Sequence, residues 1–171
     1  MDVADAIALY LLLEQQPAAY RHALEYIGSP TMALAADAGQ WRAAGMGTAA
    51  CERRANWPHG RSVAAIREQW LKSLRWLESE HRGIWFDSAS NDAAEHAWPR
   101  AFAGLSKRPP LLFWHGDDSL MGLPQIAIVG SRAATRAGLA QAQLLAAELA
   151  QAGITVTSGL ASGIDGAAHA G

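Results

Sequence analysis

One cysteine, Cys51, stands in 171 residues. A single thiol excludes an internal disulfide and any cysteine-rich metal site, and it fits a reducing cytoplasm. Charge is scarce: 18% of residues are Asp, Glu, Lys or Arg, and the formal net charge is −2. No bulk basic field exists to grip nucleic acid indiscriminately, so any such binding has to come from a local site. The apolar run near the N-terminus, Ile7 to Leu13, is too short to span a bilayer. No basic segment precedes it, as one would in a secretory signal. It reads as a buried amphipathic helix, with no membrane partner. His22, His59, His81, His96 and His115 lack the spacing of metal ligands. Two familiar phosphate motifs are missing as well. No G-x-x-x-x-G-K-[ST] is present, which argues against a P-loop nucleoside triphosphatase. No G-x-G-x-x-G follows a strand, which argues against an ordinary nicotinamide or flavin dehydrogenase. Neither a metal nor a cofactor is expected.

What is present describes a globular chain, half of it apolar. Residues 1 to about 82 read as helical. Asp5 to Gln16 carries apolar residues at helical spacing, with Pro17 as its stop. Ala18 to Ile27 repeats the pattern and ends at Gly28, a C-cap. In "SPTMALAA", Ser29 is placed as an N-cap, with Pro30 at the first helical position. "RSVAAIREQWLKSLRWLESE" gives a long helix with Val63, Ile66, Trp70, Leu74 and Leu77 on one face. Residues 83–124 read as a connector. It has strand candidates at Ile84–Phe86 and in "LLFWHGDD", and turn chemistry at Trp98-Pro99 and Pro109-Pro110. Seven tryptophans are present. Base stacking is one use for such residues, but Trp70 and Trp76 fall in the helical core pattern.

From Gln125 the pattern changes. Ile126 to Val129 is a β-branched strand, apolar on both faces as in a covered parallel sheet. Thr135 to Gln151 is a helix, with Thr135 as N-cap and Gly153 at the C-cap. Its expected buried stripe is Leu139, Ala142, Leu145, Ala146 and Leu149. Ile154 to Thr157 is a second strand, making one βαβ unit. A second helix begins within "SGLASGIDGAAHAG". Two strands need neighbours and cover, so the chain is expected to be the N-terminal part of a longer protein.

A βαβ crossover is right-handed and its strands run parallel. Gly130 and Ser158 therefore leave the sheet at one edge, where open α/β sheets bind ligands. Each loop leads into a helix N-terminus, whose free amides attract anions. Arg132 adds a fork suited to phosphate oxygens, and Ser131 adds a hydroxyl. Gly130, Gly159 and Gly163 let backbone approach a ligand, or else serve turns and close packing. Asp165 is a first-turn residue favoured by the helix dipole. His169 lies on the same face, but no nucleophile accompanies the pair, so no catalytic residue is assigned.

These residues resemble a known family. "PPLLFWHG", "IAIVGSRAATRAG" and "SGLASGIDGAAHAG" closely resemble the DprA/Smf family of bacterial DNA-processing proteins. Gly130, Ser131, Arg132, Thr135, Gly138, Ser158, Gly159, Leu160, Ala161, Gly163, Ile164, Asp165 and His169 match its pattern. The resemblance covers residues 98–171 well. The helical N-terminus is more loosely similar to the small SAM-like or helix-hairpin-helix domain that precedes it in the family. That domain's hairpin usually carries glycines where "LEQQPAAY" stands here.

The resemblance implies an α/β protein. Residues 1–82 would form a small helical SAM-like domain and 83–124 a connector with short strands. Residues 125–171 would begin a Rossmann-like DNA-binding domain, a parallel sheet incomplete at its C-terminus. It further implies a cytoplasmic, non-enzymatic protein that binds and protects single-stranded DNA during natural transformation. Such a protein loads the RecA recombinase and forms a homodimer through regions missing from this chain. The DNA phosphates would be bound by Gly130, Ser131, Arg132, Thr135 and Gly138, with Ser158, Gly159, Gly163, Ile164 and Asp165 as the neighbouring wall. Two rival readings remain. One is a nucleotide-binding Rossmann-like enzyme, such as a lysine-decarboxylase-like nucleotide phosphoribohydrolase. The other is a helical interaction module with a vestigial βαβ piece.

Overall fold

The structure is a computed structural model that describes residues 2–87, 99, 102, 104–106 and 108–171. It is a mixed α/β chain that divides into two compact units, Met1–Gly116 and Asp117–Gly171.

The first unit opens with α1 (Val3–Leu12), whose N-cap Asp2 accepts from the Asp5 amide. The helix stops at Leu12, short of the expected Gln16. Glu14 and Gln15 turn into the left-handed region at φ 55° and 56°, and no helix continues through two such residues. They lie in "LEQQPAAY", where the resemblance noted above leads one to expect glycine, the residue that enters this region freely. Pro17 does not end α1; it opens α2 (Pro17–Ile27) at the first helical position. There its missing N–H costs nothing. Gly28 closes α2 at φ 114°, its amide donating to the Leu24 carbonyl. Ser29 caps α3 (Pro30–Ala35) by accepting from the Met32 amide at 3.2 Å.

Two short helices follow, α4 (Ala38–Ala43) and α5 (Thr48–Ala55). A reciprocal capping box between Asp37 and Gln40 starts α4. A single-turn 3-10 segment, Arg61–Val63, leads into α6 (Ala64–Leu77). Helix α1 is buried at Ala6, Ile7, Ala8, Leu9, Leu11 and Leu12, so the other helices assemble around it. Trp41 is fully buried and its indole N–H donates to the Ala33 carbonyl at 2.7 Å. Trp70 ties α6 to α1 by donating to the Ala4 carbonyl at 2.8 Å. The expected stripe on α6 is observed: Val63 is buried, and Ile66, Trp70, Leu74 and Leu77 pack against the core.

Both expected strands form. β1 (Arg82–Phe86) and β2 (Leu111–His115) pair antiparallel, from Arg82 opposite His115 to Phe86 opposite Leu111. Ile84, Phe86 and Leu111 enter the same core as α1. The boundary between compact units therefore falls after Gly116, rather than at residues 82 and 124, because the strands bury their apolar face in the helical unit. Past β1, Asp87 receives Arg21 Nε at 3.3 Å and Arg108 Nη1 at 3.2 Å. Of the expected turn at Trp98-Pro99, Trp98 lies outside the described residues, as does His96.

The second unit contains β3 (Gln125–Ala127), α7 (Arg136–Gln151), β4 (Thr155–Thr157) and α8 (Ile164–Ala170). β3 and β4 are parallel, with Gln125 opposite Thr155 and Ala127 opposite Thr157. The Ile128 amide extends the ladder to the Thr157 carbonyl at 3.0 Å. The βαβ unit read from the sequence is thus present, with a shorter first strand.

Burial differs from expectation. Ile128 packs with Ala146, Ala168, Val156 and Leu149, so the helices cover one face of the sheet. Alternate residues point the other way, and Val129 is 76% exposed. The strand is therefore not covered on both faces. On α7, Ala142 and Ala146 are buried, whereas Leu145 is 46% exposed. At 100° per residue Leu145 lies at the margin of the packed stripe.

Candidate functional site

The two loops singled out from the sequence leave the parallel strands at the same end. The first runs from Ile128 to Thr135. The Ser131 hydroxyl accepts from the Ala133 amide at 3.1 Å, which curls the chain just before α7. Thr135 then caps α7, its Oγ1 accepting from the Gly138 amide at 3.1 Å.

The second loop runs from Ser158 to Gly163 and is fastened to the first at three points. Ser158 Oγ donates to the Ile128 carbonyl at 2.7 Å. The Ile164 amide donates to the Ser131 carbonyl at 3.1 Å. Gly163, at φ 89°, lies so close that a Cβ there would stand 2.2 Å from the Ser131 carbonyl oxygen and 2.7 Å from Arg132 Cα. Only glycine meets both the space and the dihedral.

Ile164 explains a further glycine: a Cβ on Gly130 would stand 2.6 Å from Ile164 Cγ1, whereas one on Gly138 would meet only ordinary contacts, the nearest Thr135 Oγ1 at 3.4 Å. In this structure, what comes close to Gly130 and Gly163 is protein. The glycines let the loops interlock and thereby fix the backbone that carries Ser131 and Arg132. Gly159 sits beside Asp165, whose Oδ2 lies 3.0 Å from where a Cβ would be. His169 Nε2 lies 3.3 Å from the Ser158 carbonyl oxygen. Of the two, His169 thus meets the loop's own backbone, while Asp165 stands beside Gly159.

The candidate binding residues are therefore together. Gly130, Ser131 and Arg132 are exposed, Thr135 and Gly138 begin α7, and Ser158, Gly159, Gly163, Ile164 and Asp165 form the adjoining wall. Arg132 makes no ion pair with any other described residue. Sequence reasoning passed over Arg136, which opens α7, is exposed, and is equally without an ion pair among the described residues. Its signal was a second arginine one helical turn beyond the first. Two arginines without an ion pair among the described residues, at and just before the N-terminus of α7, make an electrostatic setting for an oxyanion. Leu160 stands in the same loop at φ 55°, 73% exposed.

Comparison with known proteins carries the same stretch further. Residues 92–171 match the family model described as DNA recombination-mediator protein A. Residues 92–171 thus carry the sequence pattern of the DprA/Smf family. Protein Smf of Escherichia coli is 39% identical over 110 residues, covering 64% of this chain and 28% of that protein. The DNA processing protein DprA of Bacillus subtilis is 32% identical over 111 residues, 64% of this chain and 32% of its own length. The DNA processing protein DprA of Streptococcus pneumoniae is 35% identical over 75 residues, covering 44% of this chain and 26% of that protein. The matched part of the chain thus spans about a quarter to a third of these DprA/Smf relatives. The family segment includes β2 and the whole βαβ unit with both loops.

Proposed function

We propose that the crevice between Ser131–Arg132 and Ser158–Asp165 holds the phosphate backbone of single-stranded DNA. The observation that carries this reading is the exposed Arg132, without an ion pair among the described residues, on a loop held by Gly163 and the Ile164–Ser131 hydrogen bond. An arginine whose backbone is fixed loses little freedom on binding, and its fork matches phosphate oxygens. Arg132, Ser131 and the first amides of α7 are the direct contacts. Gly130, Thr135, Gly138, Gly159, Gly163, Ile164 and Asp165 hold that constellation in place.

The βαβ unit is read as the opening part of a Rossmann-like sheet and the helical unit as SAM-like. The activity is binding rather than catalysis, without a cofactor. The family's description as a recombination mediator, and the relatives' names as DNA processing proteins, support a role in handling DNA for recombination. In this role the protein protects incoming single strands during transformation and passes them to the RecA recombinase in the cytoplasm. Among the described residues no helix is long and apolar enough to cross a membrane.

Fluorescence anisotropy of a labelled oligonucleotide at several salt concentrations tests this. The protein binds, and log K falls with log salt by about 0.7 per phosphate engaged. Arg132→Ala weakens binding and flattens that slope by about 0.7. A folded protein with no affinity for the strand, or one that hydrolyses a nucleoside monophosphate, contradicts the reading.

A further inference from the structure

The loop Ser158–Gly163 contains one large apolar side chain, Leu160, among serines, glycines and an alanine. Leu160 is 73% exposed and held at φ 55°. A branched residue in the left-handed region costs about 1–2 kcal/mol relative to ordinary backbone, and exposing its side chain recovers no burial energy. Two local disadvantages therefore coincide at one residue. The loop is not free to relax them. Ser158 is tied to Ile128, Gly163 is wedged against Ser131 and Arg132, and the Gly166 amide donates to the Ala161 carbonyl at 2.9 Å. Strain retained under such constraint marks sites of contact with a ligand.

We propose that Leu160 is the base-contacting residue of this site, an apolar surface against which an unstacked nucleobase packs. This rests on the phosphate reading given above. Leu160 lies three residues before Gly163, hence at most about 11 Å from it along the chain, and Gly163 abuts Arg132. The leucine is thus close to the phosphate-binding arginine. Arginine alone holds any polyanion, single or double stranded. In a duplex the base faces are stacked on one another, whereas a single strand offers them to an apolar side chain. Leu160 therefore makes the site selective for single strands, and it is indifferent to sequence because every base has a face.

The experiment compares anisotropy of three labelled probes on the 171-residue protein: an oligothymidine strand, an abasic strand of the same length, and a duplex. The variants are Leu160→Asn and Arg132→Ala. Asparagine tolerates the left-handed region, so Leu160→Asn melts at or above the temperature of the parent and any loss of binding is not a loss of fold. Leu160→Asn lowers affinity for oligothymidine roughly five- to ten-fold. It leaves the salt slope, the abasic strand and the duplex unchanged. Arg132→Ala weakens all three probes and flattens the slope. Equal affinity of the parent protein for oligothymidine and abasic strands overturns the proposal while the phosphate reading stands. So does a Leu160→Asn variant that binds oligothymidine as well as the parent. A parent protein that binds no probe removes both.

Discussion

At the scale of single residues, the account turns on a few atoms that admit no substitute. Gly163 is one. A methyl group there meets the Ser131 carbonyl oxygen at 2.2 Å, and its φ of 89° disfavours any L side chain. Gly163→Ala should destabilise the second unit by about 2 kcal/mol or more, read as lost amide-exchange protection in α7 and α8. Tyr20 is the opposite case. Its ring is buried, its hydroxyl has no hydrogen-bond partner among the described residues, and burial pushes its phenol well above the ordinary value of 10. Tyr20→Phe therefore changes stability at neutral pH by less than about 1 kcal/mol. The folded state holds this proton more tightly than the unfolded chain. Its stabilising effect is complete below pH 10 and is lost as pH rises beyond that value. Urea unfolding at rising alkaline pH should show the parent losing stability faster than Tyr20→Phe. The Ser29 cap and the Gly28 terminus were legible because each acts through its own backbone neighbours. The left-handed Glu14 and Gln15 were not, since neither residue type announces that conformation.

At the scale of elements, legibility followed length and caps. Helices α6 and α7, with 14 and 16 residues, carry enough turns for an apolar stripe to declare itself. Helix α4 has six residues and too few turns, although the Asp37–Gln40 spacing of a capping box was there to be read. The strands were located to within a few residues, but the cover expected on both faces of Ile126 to Val129 was not found. Val129 and Leu145 are apolar yet exposed, and periodicity cannot say which apolar face finds cover. The cap of α7 gives a direct test. Thr135 supplies a side-chain acceptor to the Gly138 amide. Thr135→Ala removes it and should cost about 1 kcal/mol, measured as faster amide exchange in the first turn of α7. Thr135→Ser keeps the acceptor and should keep the protection.

At the scale of the whole molecule, each unit carries its own core. The first is built around α1 with Trp41 at its centre, and the second around Ile128, Ala146 and Ala168. Trp41→Ala should cost the first unit about 3–5 kcal/mol, seen as lost protection of α1 amides. The boundary after Gly116 was not legible, because β2, which pairs with β1 on the helical core, is separated from β1 in sequence by a polar, proline-containing stretch that reads as a linker. The two loops were legible as a pair, because βαβ handedness brings them to one sheet edge whatever the detail. That edge is the central claim, and isotope-labelled NMR tests it most directly. The 171-residue protein is titrated with a short single-stranded oligonucleotide, and amide shifts are followed residue by residue. The account predicts that the largest shifts fall within 130–138 and 158–165. Shifts confined to the amides of α1–α6, or no shifts at a concentration of strand that saturates related sites, would contradict it.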